Sequence, residues 1–463
     1  MESVNPATGE SIETYESDED RIDEVLDRAT DASVEWADEP LRERRTTLVR
    51  AAAVLRENAD EYAELITSEM GKPIEASRSE VEKCAWVCEY YAETAAEHLQ
   101  DEMLAGEPGT TTYVRHEPLG VVLAIMPWNF PLWQAFRFAA PNVAAGNVGV
   151  LKHASNVPGC ARAIETVFAE AGVPEGVFSS LLVGSDAVED LIEDDRIAAV
   201  TLTGSEAAGR AVGSTAGGAL KKSVLELGGS DPFVVLADAP MDETLDSAVS
   251  SRCLNTGQSC ISAKRFVVLD EVYDEFLDGL VARMDELRVG DPMDPNVDLG
   301  PMAREDLRDD LHEQVEASVD AGATLELGGE PLDREGNFYP PTVLADVPRD
   351  CPAADEETFG PVAAVFRVED EEEAIDLAND TRYGLGASVW TSDLDRGERL
   401  ASHLDAGLAF VNEIVQSDPR LPFGGVKASG YGRELAGLGI REFVNEKTVW
   451  VSEAGEEDVE AVE

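Results

Sequence analysis

The sequence has little positive charge for its size. Its 463 residues include 36 lysines and arginines against 94 aspartates and glutamates, which gives a formal net charge of −58. A nucleic acid needs a basic surface that neutralises its phosphates, so nucleic acid is not an expected partner. The acidic residues are spread along the whole chain. This distribution favours a surface adapted to the salt-rich cytoplasm of a halophilic host, where screening over ~3 Å at 1 M salt suppresses self-repulsion.

Long apolar runs and a secretion signal are also missing. The longest apolar stretch, GVVLAIMPW at 120–128, has about half the length that a membrane-spanning helix needs. The first residues, MESVNPATGE, lack the basic and apolar regions of a signal peptide. We therefore expect no membrane segment and a cytoplasmic location.

Cysteine and histidine are scarce, with six and five residues. Because the chain has no CxxC pair and no histidine cluster, neither a metal site nor a disulfide framework is predicted. Cys84 and Cys88 are spaced four residues apart in a helical pattern and are expected to face the core. Cys260 differs, because it ends the small and polar run LNTGQSC. It is either a buried filler or a nucleophile held on a turn.

The apolar periodicity predicts an α/β fold. Residues 20–100 have apolar positions three and four residues apart, which predicts helices. Further along, short apolar runs alternate with helical segments, and this alternation predicts parallel sheets with crossover helices. The runs lie at 148–152, 197–203, 233–236 and 265–269. One β/α series ends and another begins near LELGGSDP, at 225–232.

Polar residues follow two of the predicted strands, at the edge where open α/β sheets bind ligands. Gly204 and Ser205 end one strand and open a helix, whose backbone N–H groups could hold a pyrophosphate. A plain tight turn is the alternative. Lys152 and Ser155 follow another strand, where a ribose or its phosphate could lie, and a surface lysine is the alternative reading.

Asn129 and Glu226 are candidates for chemistry. Asn129 stands between aromatic residues and prolines in PWNFP, and an amide fixed in this way can donate to an oxyanion. The alternative is an asparagine in a turn. Glu226 is flanked by leucines in LELGG, and an apolar setting raises a carboxyl pKa and favours a general base. A helix cap or a buried ion pair is its alternative.

Together with EETFGPV (356–362) and PFGGVKASGYGRE (422–434), these motifs resemble the aldehyde dehydrogenase superfamily in order and spacing. The resemblance covers nearly the whole chain. It implies a Rossmann-type cofactor domain, an α/β catalytic domain and a small bridging β segment that pairs subunits into a homodimer or homotetramer. The cofactor domain would comprise residues 1–100 and 119–228, and the catalytic domain residues 229–436. The bridging segment would comprise residues 101–118 and 437–463.

The resemblance also implies the role of each site residue. Cys260 would be the nucleophile, Glu226 the base that activates water, and Asn129 the oxyanion donor. The cofactor, NAD or NADP, would be bound by Ile125, Trp128, Lys152, Ser155, Gly204, Ser205, Leu227, Glu357 and Phe359. Strict NAD users carry a glutamate at the Ser155 position, so NADP is permitted here.

For the substrate, the chain is most similar to the succinate-semialdehyde dehydrogenase group. That group carries an arginine at the Arg137 position, where a guanidinium suits a carboxylate, and Ser417 lies in its substrate loop. A structural ion pair is the alternative role for Arg137. At the position of the group's second carboxylate-binding arginine this chain has Leu254, and Arg420 is the candidate substitute. At the position after Arg137, where many members have a lysine, this chain has Phe138. A small aldehyde that ends in a carboxylate is expected, oxidised through a thiohemiacetal and a thioester.

Three other classes are disfavoured. Members that pass the acyl group to coenzyme A usually lack the glutamate at the Glu226 position. A non-catalytic structural protein of the same fold would be expected to have lost Cys260, Asn129 or Glu226. A thiol hydrolase would need a histidine close to Cys260 in the sequence, and none is there.

Overall fold

The computed structural model describes residues 1–107 and 109–452, so the acidic end of the chain lies outside the described residues. The helices predicted for residues 20–100 are confirmed as the first four, and Cys84 and Cys88 are buried in the fourth. The α-helices are α1 Ile22–Asp38, α2 Leu41–Glu57, α3 Ala59–Met70, α4 Ile74–His98, α5 Pro131–Ala145, α6 Pro158–Glu170, α7 Val188–Glu193, α8 Glu206–Gly218, α9 Met241–Cys253, α10 Asp270–Asp285, α11 Glu305–Asp320, α12 Pro352–Asp355, α13 Glu371–Asn379, α14 Leu394–Ala401 and α15 Ala436–Arg441.

The strands alternate with these helices after residue 119, as an α/β fold requires. They are β1 Glu2–Val4, β2 Ser11–Thr14, β3 Glu102–Leu104, β4 Thr110–Pro118, β5 Val121–Met126, β6 Val148–His153, β7 Phe178–Ser180, β8 Ile197–Thr203, β9 Lys222–Glu226, β10 Asp231–Val235, β11 Ala263–Leu269, β12 Thr324–Leu327, β13 Thr342–Ala345, β14 Val362–Val368, β15 Gly386–Trp390, β16 Leu408–Val411, β17 Gly430–Tyr431 and β18 Val444–Ser452. Short 3₁₀ turns lie at Glu19–Arg21, Leu254–Gly257 and Lys427–Ser429.

Two large sheets organise the molecule. One has the order β17-β9-β8-β5-β6-β7, and all its pairs are parallel except the one between β17 and β9. The other has the order β12-β13-β14-β11-β10-β15-β16, and only β12 runs antiparallel to its neighbour. Every residue of β5, β6, β10 and β11 is buried, because helices and loops cover both faces of a parallel sheet.

The chain passes from the first large sheet to the second within a few residues. β9 ends at Glu226 and β10 begins at Asp231, so the carboxyl edge of one sheet lies beside the start of the other. Asp231 pairs with Ala263 at the start of β11, which places the residues before β11 at the same junction. Cys260 is among them, and the strand order alone therefore brings Cys260 toward Glu226. The limits of the cofactor and catalytic domains stay predictions.

A third, antiparallel sheet of order β18-β4-β3 joins the implied bridging segments. β18 pairs with β4 along nine residues, from Val444↔Pro118 to Ser452↔Thr110. Most of β18 is exposed, including Trp450 and Val451. Among residues 1–107 and 109–452, no helix has both the length and the apolar character needed to cross a membrane.

Candidate active site

Cys260 follows a turn whose backbone is left-handed at three successive residues. The φ angles are 55° at Asn255, 57° at Thr256 and 73° at Gly257. Such angles cost about 1–3 kcal/mol at each non-glycine residue and persist only where the surroundings hold them. Gly257 is required for a second reason, because a Cβ there would collide with the backbone of Gly360. The predicted turn is therefore present and is held under strain.

Side chains from several elements hold this turn in place. Asn255 Nδ2 donates to the carbonyl oxygen of Asn129 at 2.7 Å. Thr256 Oγ1 accepts from the Gly300 N–H at 3.1 Å, and Arg252 Nη2 donates to the Gly257 carbonyl at 2.6 Å. Because these bonds join distant parts of the chain, the position of the thiol depends on the complete tertiary fold.

The Asn129 side chain lies beside the same turn. Its Nδ2 donates to the Gln258 carbonyl at 3.0 Å, which fixes the orientation of the amide. An amide nitrogen carries two hydrogens, so the second N–H is left for another acceptor. Asn129 and Cys260 line one pocket together. This geometry supports a role for Asn129 as a hydrogen-bond donor beside the aldehyde carbon that the Cys260 sulfur would attack.

Lys264 belongs to the site, although our sequence reasoning did not single it out. Its Nζ donates to the carbonyls of Cys260 at 2.8 Å and Ser259 at 3.0 Å, and it lies 3.5 Å from Glu357 Oε1. The side chain is buried, so its charge is compensated by these oxygens. Its place four residues after the cysteine, at the start of a strand whose last four residues are apolar, was the only signal in the sequence.

The Cys260 thiol is protonated in this arrangement. Burial raises its pKa to about 12, and the positive charges of Lys264 and Arg137 oppose that rise. The reactive form of cysteine is the thiolate. The nucleophile assignment therefore requires a base or a further positive charge close to the sulfur during the reaction.

Glu226 ends β9 with its carboxyl group buried. Neither carboxyl oxygen has a hydrogen-bond partner among the described residues. Burial raises its pKa well above the ordinary value, and the negative charge of Glu434 raises the pKa further. Oε1 lies against Gly424, where any Cβ would occupy its space. Glu226 is not among the residues that line either cavity at Cys260.

A pocket of about 250 Å³ lies on one side of Cys260. Its rim includes the start of α8, where the Ser205 hydroxyl accepts from the Ala208 N–H at 3.3 Å. The rings of Trp128 and Phe359 meet edge to face in it, with centroids 5.8 Å apart. Of the predicted cofactor residues, those that line this pocket are Trp128, Gly204, Ser205, Leu227, Glu357 and Phe359.

The remaining predicted cofactor residues lie at the carboxyl ends of neighbouring strands. Ile125 of β5 pairs with Lys152 of β6. Lys152 is largely buried, and burial lowers its pKa. Ser155 follows β6 and is exposed. These three residues are not part of the wall of the pocket beside Cys260, so the structure brings together only part of the predicted cofactor set in one cavity.

A second cavity, of about 360 Å³, lies on the other side of the thiol. Cys260 and Gln134 belong to the walls of both cavities. Ser417 lines the second cavity with a buried hydroxyl that has no partner among the described residues, and Leu254 lines it as well. Arg420 is not part of this wall. Its guanidinium binds both carboxyl oxygens of Asp418, at 2.9 and 2.6 Å.

Arg137 lies in the wall of the second cavity, but its charge is already paired. Its Nε forms a buried ion pair with Glu434, and its Nη2 donates to Thr203 Oγ1 at 3.3 Å. The guanidinium also stacks over the Phe423 ring, 4.5 Å from the centroid. The structural ion pair that the sequence left open is therefore present, and a substrate role for Arg137 stays a prediction.

Comparison with known proteins identifies the family of this chain. Residues 1–449 match the model of the aldehyde dehydrogenase family. The chain is 50% identical to a probable succinate-semialdehyde dehydrogenase (NADP+) of Synechocystis sp. over 97% of this chain and 99% of that one. It is 51% identical to the succinate-semialdehyde dehydrogenase (NADP+) of Mycobacterium avium over 97% and 96%.

A solved structure shows the same fold. The succinic semialdehyde dehydrogenase of Streptococcus pyogenes, in complex with NADP+ as the cofactor, superposes with a TM-score of 0.95 and is 40% identical. The match covers 98% of this chain and all of that chain. With a family match along almost its whole length and relatives at half identity, this chain belongs to the aldehyde dehydrogenase family.

Proposed function

We propose that this protein oxidises succinate semialdehyde to the carboxylic acid with NADP as the preferred cofactor. The observation that carries the proposal is the position of Cys260 between two cavities. One cavity has the strand end and the helix start that suit a dinucleotide, and the other has basic residues in its wall, which suit an acidic aldehyde. The named relatives support the same substrate and cofactor.

The residues present fit a nicotinamide dinucleotide. Gly204 and Ser205 open α8, so free N–H groups at its start are placed to bind a pyrophosphate. Phe359 and Glu357 line the same pocket. The Phe359 ring would pack against a flat ring of the cofactor, and the Glu357 carboxylate would accept from a ribose hydroxyl. When bound, such a cofactor would accept a hydride from the substrate.

The first chemical step forms a bond between the Cys260 sulfur and the aldehyde carbon. The carbonyl oxygen becomes an oxyanion, and the free N–H of Asn129 and the backbone N–H of Cys260 stabilise it. The thiol must first give up its proton, for which water in the cavity is the acceptor. Lys264 and Arg137 favour the thiolate by lowering the thiol pKa, and the positive charge of an oxidised nicotinamide bound beside Cys260 would lower it further. After oxidation, the acyl group is held as a thioester on the same sulfur.

The second chemical step is hydrolysis of that thioester. A water molecule attacks the acyl carbon, Glu226 takes a proton from it, and the Cys260 thiolate leaves. For this step the Glu226 side chain must move from Gly424 into reach of the water at the thioester. Burial raises its pKa, and a carboxylate with a raised pKa is a stronger base toward that water.

A panel of aldehydes tests the function. We expect kcat/KM to be highest for succinate semialdehyde, lower for glutarate semialdehyde and much lower for butanal, and to be higher with NADP than with NAD. Measurement of all combinations in molar KCl separates substrate preference from cofactor preference. Equal kcat/KM for butanal and succinate semialdehyde would contradict the proposed substrate.

The cofactor preference is tested at Ser155. In Ser155→Glu, we expect kcat/KM with NADP to fall at least about tenfold, or ~1.4 kcal/mol, because a carboxylate repels a 2′-phosphate. The ratio of NADP to NAD activity should fall with it. Ser155→Gln is the matched control, since it adds the same bulk without charge. An equal loss in both variants would indicate a steric effect and contradict the assignment.

We further propose that the acidic surface is adapted to a salt-rich cytoplasm. The screening length is about 10 Å at 0.1 M and about 3 Å at 1 M, so repulsion among the acidic residues is strong only in dilute salt. We expect Tm to be more than about 10 °C lower in 0.1 M than in 2 M KCl. Thermal unfolding followed by circular dichroism measures it, and an unchanged Tm would refute the proposal.

We also propose a homodimer or homotetramer built on the three-stranded sheet. β18 forms one edge of this sheet, and an exposed edge strand offers unpaired backbone groups to another chain. The exposed Trp450 and Val451 on β18, with Met103 and Leu104 on β3, add apolar surface to the same sheet.

A further inference from the structure

The second cavity contains three basic side chains, and two of them are neutralised. Lys72 forms a buried ion pair with Glu80, and Arg137 forms one with Glu434. The third, Lys83 of α4, has no ion-pair or hydrogen-bond partner among the described residues. In a chain with a net charge of −58, an unpaired lysine in the wall of a cavity is unusual.

The carboxylates near Lys83 are bound to other groups. Glu80 Oε1 accepts from the backbone N–H groups of Leu132 at 2.9 Å and Trp133 at 3.0 Å, while its Oε2 binds Lys72. Asp418 is bound on both oxygens by Arg420. The cavity therefore has an excess positive charge at Lys83 and no anion of its own to compensate it.

The surroundings of Lys83 hold its amine at the cavity. Its Nζ lies over the Trp133 ring, 4.5 Å from the centroid, and that ring lines the same cavity. A cation over an aromatic face is stabilised without losing its capacity to donate hydrogen bonds. Ser417, with its unpartnered buried hydroxyl, lines this cavity too. An anion bound there could accept from both groups.

We propose that Lys83 is the specificity-determining residue that binds the far carboxylate of the substrate, with the Ser417 hydroxyl as a second donor. This inference rests on the proposed function and deepens it. It assigns the main contact with the substrate carboxylate to Lys83 and not to Arg137, because Glu434 already neutralises the charge of Arg137. It also accounts for the loss of the second arginine at Leu254, because Lys83 supplies a cation from a different helix.

Substitution of Lys83 tests this directly. In Lys83→Met, which removes the charge and keeps the stem, we expect the ratio of kcat/KM for succinate semialdehyde to that for butanal to fall about 10- to 100-fold. The change should lie mainly in KM. Lys83→Arg should restore most of the ratio. Lys222→Met, at an exposed site at the start of β9, is the matched control and should keep the wild-type ratio.

The pH dependence gives a readout that a structural role would not produce. Burial and the charge of Arg137 lower the pKa of Lys83 to about 8, while Cys84, Glu80 and Asp418 oppose the shift. The amine is therefore charged below pH 8 and loses its proton above it. We expect the succinate semialdehyde to butanal ratio to fall as pH rises through about 8 in the wild type. In Lys83→Arg the ratio should stay flat, because a guanidinium keeps its proton.

The outcomes separate this inference from the proposed function. If the wild type prefers succinate semialdehyde and Lys83→Met keeps that preference, Lys83 is not the carboxylate ligand while the proposed function stands. If the wild type shows no preference, the substrate and the role of Lys83 both fail. Thermal unfolding of each variant checks the fold, and a wild-type Tm with a reduced ratio supports the inference. Arg137→Ala is a poorer probe, because it leaves Glu434 buried without its partner.

Discussion

Replacement of Cys260 by alanine is expected to reduce kcat for aldehyde oxidation by at least about 10⁴-fold. The variant keeps both cavities but has no atom that can form the thiohemiacetal. Without that tetrahedral intermediate, there is no carbon from which the hydride can be transferred. The measurement is the steady-state formation of reduced nicotinamide with succinate semialdehyde. A pre-steady-state burst should be absent as well, since no acyl group can accumulate on the protein.

A neighbouring cysteine provides the matched control for this experiment. Cys253 ends α9, seven residues before Cys260, and neither cavity wall includes it among the described residues. Cys253→Ala should therefore keep kcat close to the wild-type value. Substantial turnover in Cys260→Ala, with Tm unchanged, would remove the nucleophile assignment and the mechanism built on it.

Replacement of Glu226 by glutamine should separate the two chemical steps. We expect steady turnover to fall about 10²- to 10⁴-fold, because no base takes the proton from the attacking water. The first turnover should still produce a burst of about one reduced cofactor per active site, since acylation of Cys260 does not need that base. Stopped-flow absorbance measures the burst and the slow phase in one trace.

Two further observations check the assignment of Glu226. Because its pKa is raised, the carboxylate that acts as base forms only as pH increases, so kcat of the wild type should rise with pH along a limb that Glu226→Gln lacks. Mass spectrometry of the variant should find the acyl group on Cys260. Wild-type steady turnover in Glu226→Gln would show that another group activates the water.

Much of the fold was predictable from local patterns. β8 at Ile197–Thr203 matches the predicted apolar run, since a strand covered on both faces needs continuous apolar residues. α4 was visible because Cys84 and Cys88 repeat at helical spacing. The turn before Cys260 was recognisable by its small and polar residues, although its left-handed backbone at Asn255 and Thr256 depends on bonds to distant residues.

The charge state of each side chain was not predictable in the same way. Arg137 and Glu434 are almost 300 positions apart in the chain, and no local pattern indicates that they neutralise each other. Lys264 was overlooked because a buried lysine has no sequence signature until its acceptors are known. Lys83 stands on a helix like any surface lysine, and only packing against Trp133 places it in the cavity.

By itself, the sequence determined the family, the succession of helices and strands and the identity of the reactive groups, because these depend on residue types at short spacing. Tertiary structure alone decided which charges are free, which charges surround the buried Glu226 carboxyl group and which cavities Cys260 lines. The physical reason is that burial and pairing act through space. A charge loses its hydration and gains its partner only when distant segments come together.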